Sequence, residues 1–169
     1  HPAIAALDRS RNLAHRLRVT RQADLGYTQN YLGAFDASSA AFRRSVAAAE
    51  LLAQLFPEDP TSLSYLCSQL CRFAYVLRDR FRLQDLAEAA ACVTRAIEVE
   101  THIPASVVTG RIPRWRLLTT LAGIEESRGA PDAARWWSEV DGVLPPWDKL
   151  SDDVDVSLFL DAVTCIARW

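Results

Sequence analysis

Cys67 and Cys71 lie one helical turn apart, and two thiolates at that spacing could fill half of a tetrahedral zinc site. The site would need about two further ligands. The chain has three histidines, His1, His15 and His102, and none forms a motif with these cysteines. Cys67 also shares a helical stripe with Leu63, Leu66 and Leu70, so the thiols read as small core hydrophobes. No metal and no cofactor is expected. Nucleophilic catalysis fares no better, because neither a Gly-x-Ser-x-Gly elbow nor a partnered histidine occurs. Glu125-Glu126 and Asp152-Asp153 are paired carboxylates, but adjacent helical residues do not face each other. They read as solvated helix surface and an N-terminal cap. No glycine-rich loop offers to cradle phosphates.

Arginine is the most abundant chemistry-bearing side chain. Arg9, Arg11, Arg16, Arg18 and Arg21 form one cluster, Arg78, Arg80 and Arg82 a second, and Arg111, Arg114 and Arg116 a third. Guanidinium groups recognise both phosphates and carboxylates. The formal net charge is −2, so no global basic field recruits nucleic acid, which is disfavoured as a partner. Lys149 is the only lysine, and the Arg and Ala excess reads first as coding bias.

Half of the 169 residues are apolar and 24% are charged, which fits one soluble globular domain. No apolar run approaches the roughly 20 residues that span a bilayer. Cys67, Cys71, Cys92 and Cys165 sit in apolar helical segments, as in a reducing compartment, and a cytoplasmic location is expected. The chain begins at His1 and ends within an apolar pattern at Trp169, as a fragment of a longer protein would.

The elements that must position these residues are helices. Apolar positions recur at steps of three and four, and strand-like alternation is almost absent. Breaks are expected at Gly33, Pro57 to Pro60, Pro104 to Pro113, Gly129 to Pro131, and Pro145-Pro146. Thr61 or Ser62, and Asp132, stand where N-caps belong. This predicts an all-α fold of seven or eight helices in antiparallel pairs.

The pairs repeat. Leu25-Gly26, Phe73-Ala74 and Leu121-Ala122 each place a small residue after an apolar one, 48 residues apart. Gly33 and Gly129 follow Gly26 and Ala122 by seven residues, where a turn needs positive φ. In the second helix of each pair, Ser38, Phe42 and Ser45 match Ala89, Val93 and Ala96, and then Ala133, Trp137 and Val140. A small residue on one helix admits the other closely, and a bulky residue fills the remaining gap.

This pattern resembles the tetratricopeptide repeat, whose usual unit is roughly 34 residues. Arg80-Phe81, Asp85-Leu86, Ala96-Ile97 and Pro57-Glu58-Asp59-Pro60 resemble the longer repeats found beside CHAT-type caspase-like peptidases and in related sensor proteins. The resemblance implies a single domain over residues 1–169, a short right-handed solenoid with units at about 19–56, 61–100 and 112–144. Helices at 3–18 and 153–169 would flank it, the first carrying Ile4, Leu7, Leu13 and Leu17.

In such a stack the first helices line a concave binding surface. Counting from the aligned small residues, that surface should present Tyr27 and Asn30, then Ser68, Tyr75 and Arg78, then Arg116, Thr119 and Glu126. Ala23, Cys71 and Gly123 fall on the same stripes. Aromatic area, amides and guanidinium groups suit a peptide, acidic ones included. The expected function is therefore a non-catalytic protein- or peptide-binding scaffold, within a larger sensor or protease-associated protein. One alternative is a regulatory module whose arginine-lined groove binds nucleic acid or an acidic ligand. A helical enzyme with an unrecognised pocket is a further alternative, and self-association through the end helices is a third.

Overall fold

The computed structural model describes residues 2–80, 82–107, 111–146, 148, 150 and 153–168, with the side chains of 2–5 and 153–157 not described. His1, Phe81 of the Arg80-Phe81 turn, Lys149, Asp152 and Trp169 lie outside the described residues, as do the side chains of Ile4, Asp153, Val154 and Val156.

Seven helices and no strand occur among the described residues. They are α1 (Pro2–Tyr31), α2 (Phe35–Leu55), α3 (Ser62–Arg78), α4 (Leu83–Glu100), α5 (Arg114–Ser127), α6 (Ala133–Asp141) and α7 (Asp153–Ile166). Each packs against its neighbours in chain order, and α1 also meets α3 while α5 meets α7. The all-α class and the helix number agree with the sequence expectation.

One boundary differs. The expected break between a flanking helix 3–18 and a first unit at 19 is absent, and α1 runs 30 residues without interruption. No proline or turn sequence lies near residue 18, so the backbone has no reason to stop there. Both positive-φ glycines are where the repeat placed them, Gly33 at 74° and Gly129 at 66°. Ala34 N–H donates to the Gln29 carbonyl (2.9 Å) and Gly33 N–H to that of Asn30 (3.0 Å), which closes α1 as a Schellman motif. Gly129 and Ala130 close α5 in the same way on Glu126 and Glu125.

The N-caps follow the sequence reading in position only. Thr61 and Asp132 precede α3 and α6, yet neither side chain bonds a helix N–H. The Thr61 hydroxyl donates instead to Asp59 Oδ1 (2.8 Å).

The core is built on the repeated triplets. Phe42, Val93 and Trp137 are buried, as are the small residues on either side of each. The Phe42 ring stacks on Phe73 at 5.6 Å and receives the Tyr27 edge at 5.0 Å. Ser38 donates to the Gly26 carbonyl (2.8 Å), and the Ser45 hydroxyl lies 2.8 Å from the Val19 carbonyl, so two hydroxyls bind α2 to α1. The irregular linker after α4 also contributes, with Ile103 and Val107 buried in the main core. Glu100, 5% exposed, ends α4 against Arg111 (2.6 Å) and Arg114 (3.7 Å).

A Cβ on Gly26 would stand 2.6 Å from two Phe42 ring carbons. Alanine favours a helix by about 1 kcal/mol over glycine, but overpacking costs about 1–3 kcal/mol. Gly26→Ala is therefore expected to lower stability by up to about 2 kcal/mol net. Adding Phe42→Leu should recover part of that loss relative to Phe42→Leu alone. Urea unfolding of the two single variants and the double variant checks this through their coupling.

Candidate functional site

Where α1 runs beside α3, their facing side chains leave a cleft of about 370 Å³. Arg16 and Thr20 line it from α1, one turn apart. Ser64, Tyr65, Ser68, Gln69 and Arg72 line it from successive turns of α3, with Thr61 at the helix start. Thr20 is engaged on its own helix, donating to the Arg16 carbonyl at 3.1 Å.

The linker before α3 fixes the charged end of this cleft. Arg16 Nη2 donates to Asp59 Oδ2, and to Thr61 Oγ1 at 2.7 Å. Asn12 Nδ2 donates to the same carboxylate oxygen (2.8 Å), and the Thr61 N–H donates to Oδ1 (3.0 Å). Burial alone would raise the Asp59 pKa. The hydrogen bonds from Asn12, Thr61 and Arg16 outweigh it and hold the carboxyl well below the usual carboxylate range. The Arg16 guanidinium also lies 5.2 Å above the Tyr65 ring. Two of the residues that line the cleft carry a donor without a hydrogen-bond partner, Arg16 at Nε and Ser64 at its hydroxyl, both buried. Gln69 is buried too, its Oε1 3.2 Å from the Ser45 hydroxyl.

Of the eight expected groove residues, Ser68 alone lines this cleft. Tyr27 is half-buried against Phe42, and burial raises its pKa, with Arg72 acting in the opposite sense. Asn30 is held at the hairpin turn, its Oδ1 accepting from Arg80 Nε at 3.2 Å. Tyr75 extends the face toward α5, its hydroxyl 3.1 Å from Thr120 Oγ1. Arg78 covers the Tyr75 ring at 5.1 Å and pairs with Asp79 at 3.2 Å. Arg116 is half-buried, its charge felt at Cys71 and Tyr75.

Thr119 is a correction: it is only 4% exposed and its hydroxyl returns to the Trp115 carbonyl at 2.8 Å. Its neighbour Thr120, 1% exposed, is the α5 threonine that meets Tyr75 of α3. Glu126 faces α6, accepting from Trp137 Nε1 at 3.3 Å, and lies 3.9 Å from Arg168. Ala23 and Cys71 are likewise buried rather than groove-lining.

No family model, curated protein or solved structure matches this chain.

Arg16, Thr20, Ser64 and Arg72 were not singled out as groove residues from the sequence. For Ser64 and Arg72 a signal existed, since both lie four residues from Ser68 and extend its stripe by a turn each way. A break at residue 18 places Arg16 in a flanking helix, and a count of one turn either side of Tyr27 ends at Ala23, a turn short of Thr20.

The thiol pair is structural. Cys67 and Cys71 are buried in the main core, and Cys67 Sγ lies 3.6 Å from the Ala96 carbonyl. Burial pushes the Cys67 thiol up to about 12 and the Cys71 thiol up to about 11. Neither is a thiolate near neutral pH, so neither is a ready nucleophile.

Two measurements follow from this geometry. Because its pKa is depressed, Asp59 contributes stability that is present above the unfolded value of about 3.9. That contribution is lost as pH falls below this value toward the folded one. Asp59→Asn is expected to cost about 1–3 kcal/mol at neutral pH and to flatten the acid-side loss below about pH 4, as read by urea unfolding across that range. Cys67 and Cys71 are expected to resist an aromatic disulfide reagent at about pH 8 while the chain is folded, and to react once urea unfolds it. Mass spectrometry of labelled fragments assigns the sites.

Proposed function

We propose that this chain is a non-catalytic scaffold of tetratricopeptide-like hairpins that binds a protein or peptide along the α1–α3 face. The observation that carries the reading is the cleft between those helices, which combines aromatic area, hydroxyls and guanidinium groups on a rigid helical frame. Tyr65 and Arg72 there, with Tyr75 and Arg78 farther along α3, are the side-chain types that anchor interfaces. An acidic segment fits best, because guanidinium groups pair with carboxylates in a bidentate fork. In a longer chain the same module would serve a sensor or a protease-associated protein, and its four free cysteines suit the reducing cytoplasm.

A polyanion is served less well. Within the three arginine clusters, Arg16 pairs with Asp59, Arg78 with Asp79, Arg82 with Asp85, and Arg111 and Arg114 with Glu100. These pairs cancel much of the field that a nucleic-acid backbone would need.

Panning a displayed library of random short peptides against the folded chain tests the proposal. Enriched sequences are expected to be rich in Asp and Glu, and to bind at least about tenfold more weakly to the Arg72→Glu/Arg78→Glu variant. A library that yields no binders, or binders indifferent to that variant, rejects the α1–α3 face.

A further inference from the structure

We infer that the α1–α3 cleft is a receptor pocket for one carboxylate side chain, an Asp or Glu within an extended partner segment. The inference rests on the peptide-binding reading above and gives it a residue-level site. Its starting point is Ser64, which is 4% exposed and lines the cleft, yet has no partner for its hydroxyl. Buried hydroxyls without partners are uncommon in folded chains. A serine in the first turn of α3 that served packing alone could be alanine at no loss. Arg16, which lines the same cleft, carries a second unmatched donor, because Asp59 and Thr61 occupy Nη2 while Nε is buried without a partner. Two unmatched donors lining one cleft call for an acceptor.

Charge then selects which acceptor. The Arg16 charge is balanced by Asp59, whose carboxylate is itself engaged by Asn12, Arg16 and Thr61. Arg72 stands on the cleft wall, exposed, with no carboxylate paired to it among the described residues. The cleft therefore carries one uncompensated positive charge beside its open donors. A single carboxylate matches that count. A neutral amide would leave Arg72 unanswered, and a doubly charged phosphate would meet the Asp59 carboxylate with charge to spare. The volume of about 370 Å³ admits an acidic side chain with its adjoining backbone. Tyr65, beneath Arg16, offers a flat apolar wall to the methylene groups.

The test is an amide-resolved NMR titration of the full chain with three pentapeptide probes. They are N-acetyl-Ala-Ala-Glu-Ala-Ala-amide, the same peptide with Gln for Glu, and N-acetyl-pentaalanine with a free terminal carboxylate. The Glu peptide is expected to shift the amides of Ser64, Ser68 and Arg72, with the Gln peptide at least tenfold weaker. Arg72→Gln should weaken the Glu peptide at least tenfold, and Ser64→Ala about threefold. Ser64→Ala should also leave the melting temperature unchanged or higher, whereas a serine kept for structure would lower it. Equal binding of the Gln peptide, no shift with any probe, or a cleft that answers only the free terminus overturns the side-chain pocket. Glu-peptide shifts confined to other turns of α1, α3 and α5 overturn the pocket too, while leaving the scaffold reading in place. The scaffold reading itself fails only if the displayed library gives no binder on this face.

Discussion

Two helices can approach only as closely as the side chains between them allow, and in this chain that limit is set at Gly26, Ala74 and Ala122. At Gly26 the allowance is used in full, because the Phe42 ring occupies the space where a Cβ would be. Ala74 and Ala122 are fully buried at the equivalent places, beneath the helices that carry Val93 and Trp137. The bulky partner differs between hairpins: the position without a Cβ faces the phenylalanine, Ala74 belongs to the hairpin with the smaller valine, and Ala122 to the one with the larger tryptophan. Everything else in the fold follows from three hairpins held at that spacing.

The same constraint produces the cleft. Ser38 and Ser45, on either side of Phe42, donate to carbonyls of α1 and draw α2 tightly against it. α2 is also tied to α4, by Arg43–Glu88 at 2.8 Å and by Glu50–Arg95. Close packing within the hairpin and ionic ties between second helices leave α1 and α3 to meet through longer polar side chains. Polar groups in a partly open seam can be satisfied by solvent or ligand as well as by protein. This is why arginine, serine and tyrosine collect there and alanine collects inside the hairpins.

What the sequence made legible follows the same division. The hairpins could be read because their determinants are local or periodic: a glycine seven residues after a small one, and a large residue with small ones three or four away on each side. The Schellman closures at Gly33 and Gly129 confirm that these patterns are backbone requirements. The cleft was harder to read because its determinants are neither local nor periodic. The Arg16–Asp59 tie spans 43 residues, from the middle of α1 to a proline-rich linker. Nothing in the arginine cluster around Arg16 marks that residue as the one turned inward. On α5 the position expected to face the groove, Thr119, is buried with its hydroxyl returned to the Trp115 carbonyl. A helical register carried from one hairpin to the next holds for buried positions, where volume enforces it. It says less about which neighbouring positions stay exposed, because nothing enforces them.

Asp59 links these two levels. It fixes the linker to α1 through Arg16 and Asn12, so the spacing of the first and second hairpins at this end depends on it. It also removes one of the two positive charges in the cleft, which sets the charge that a ligand meets. A second carboxylate arriving at Arg72 therefore does not compete for Arg16, since the Asp59 contacts lie on Nη2 and the open donor is Nε. Protonating Asp59 would add a net positive charge to the cleft while loosening the wall that carries it. The hairpin spacing and the charge offered to the proposed carboxylate thus depend together on the ionisation of one side chain, whose pKa is held well below the usual carboxylate range.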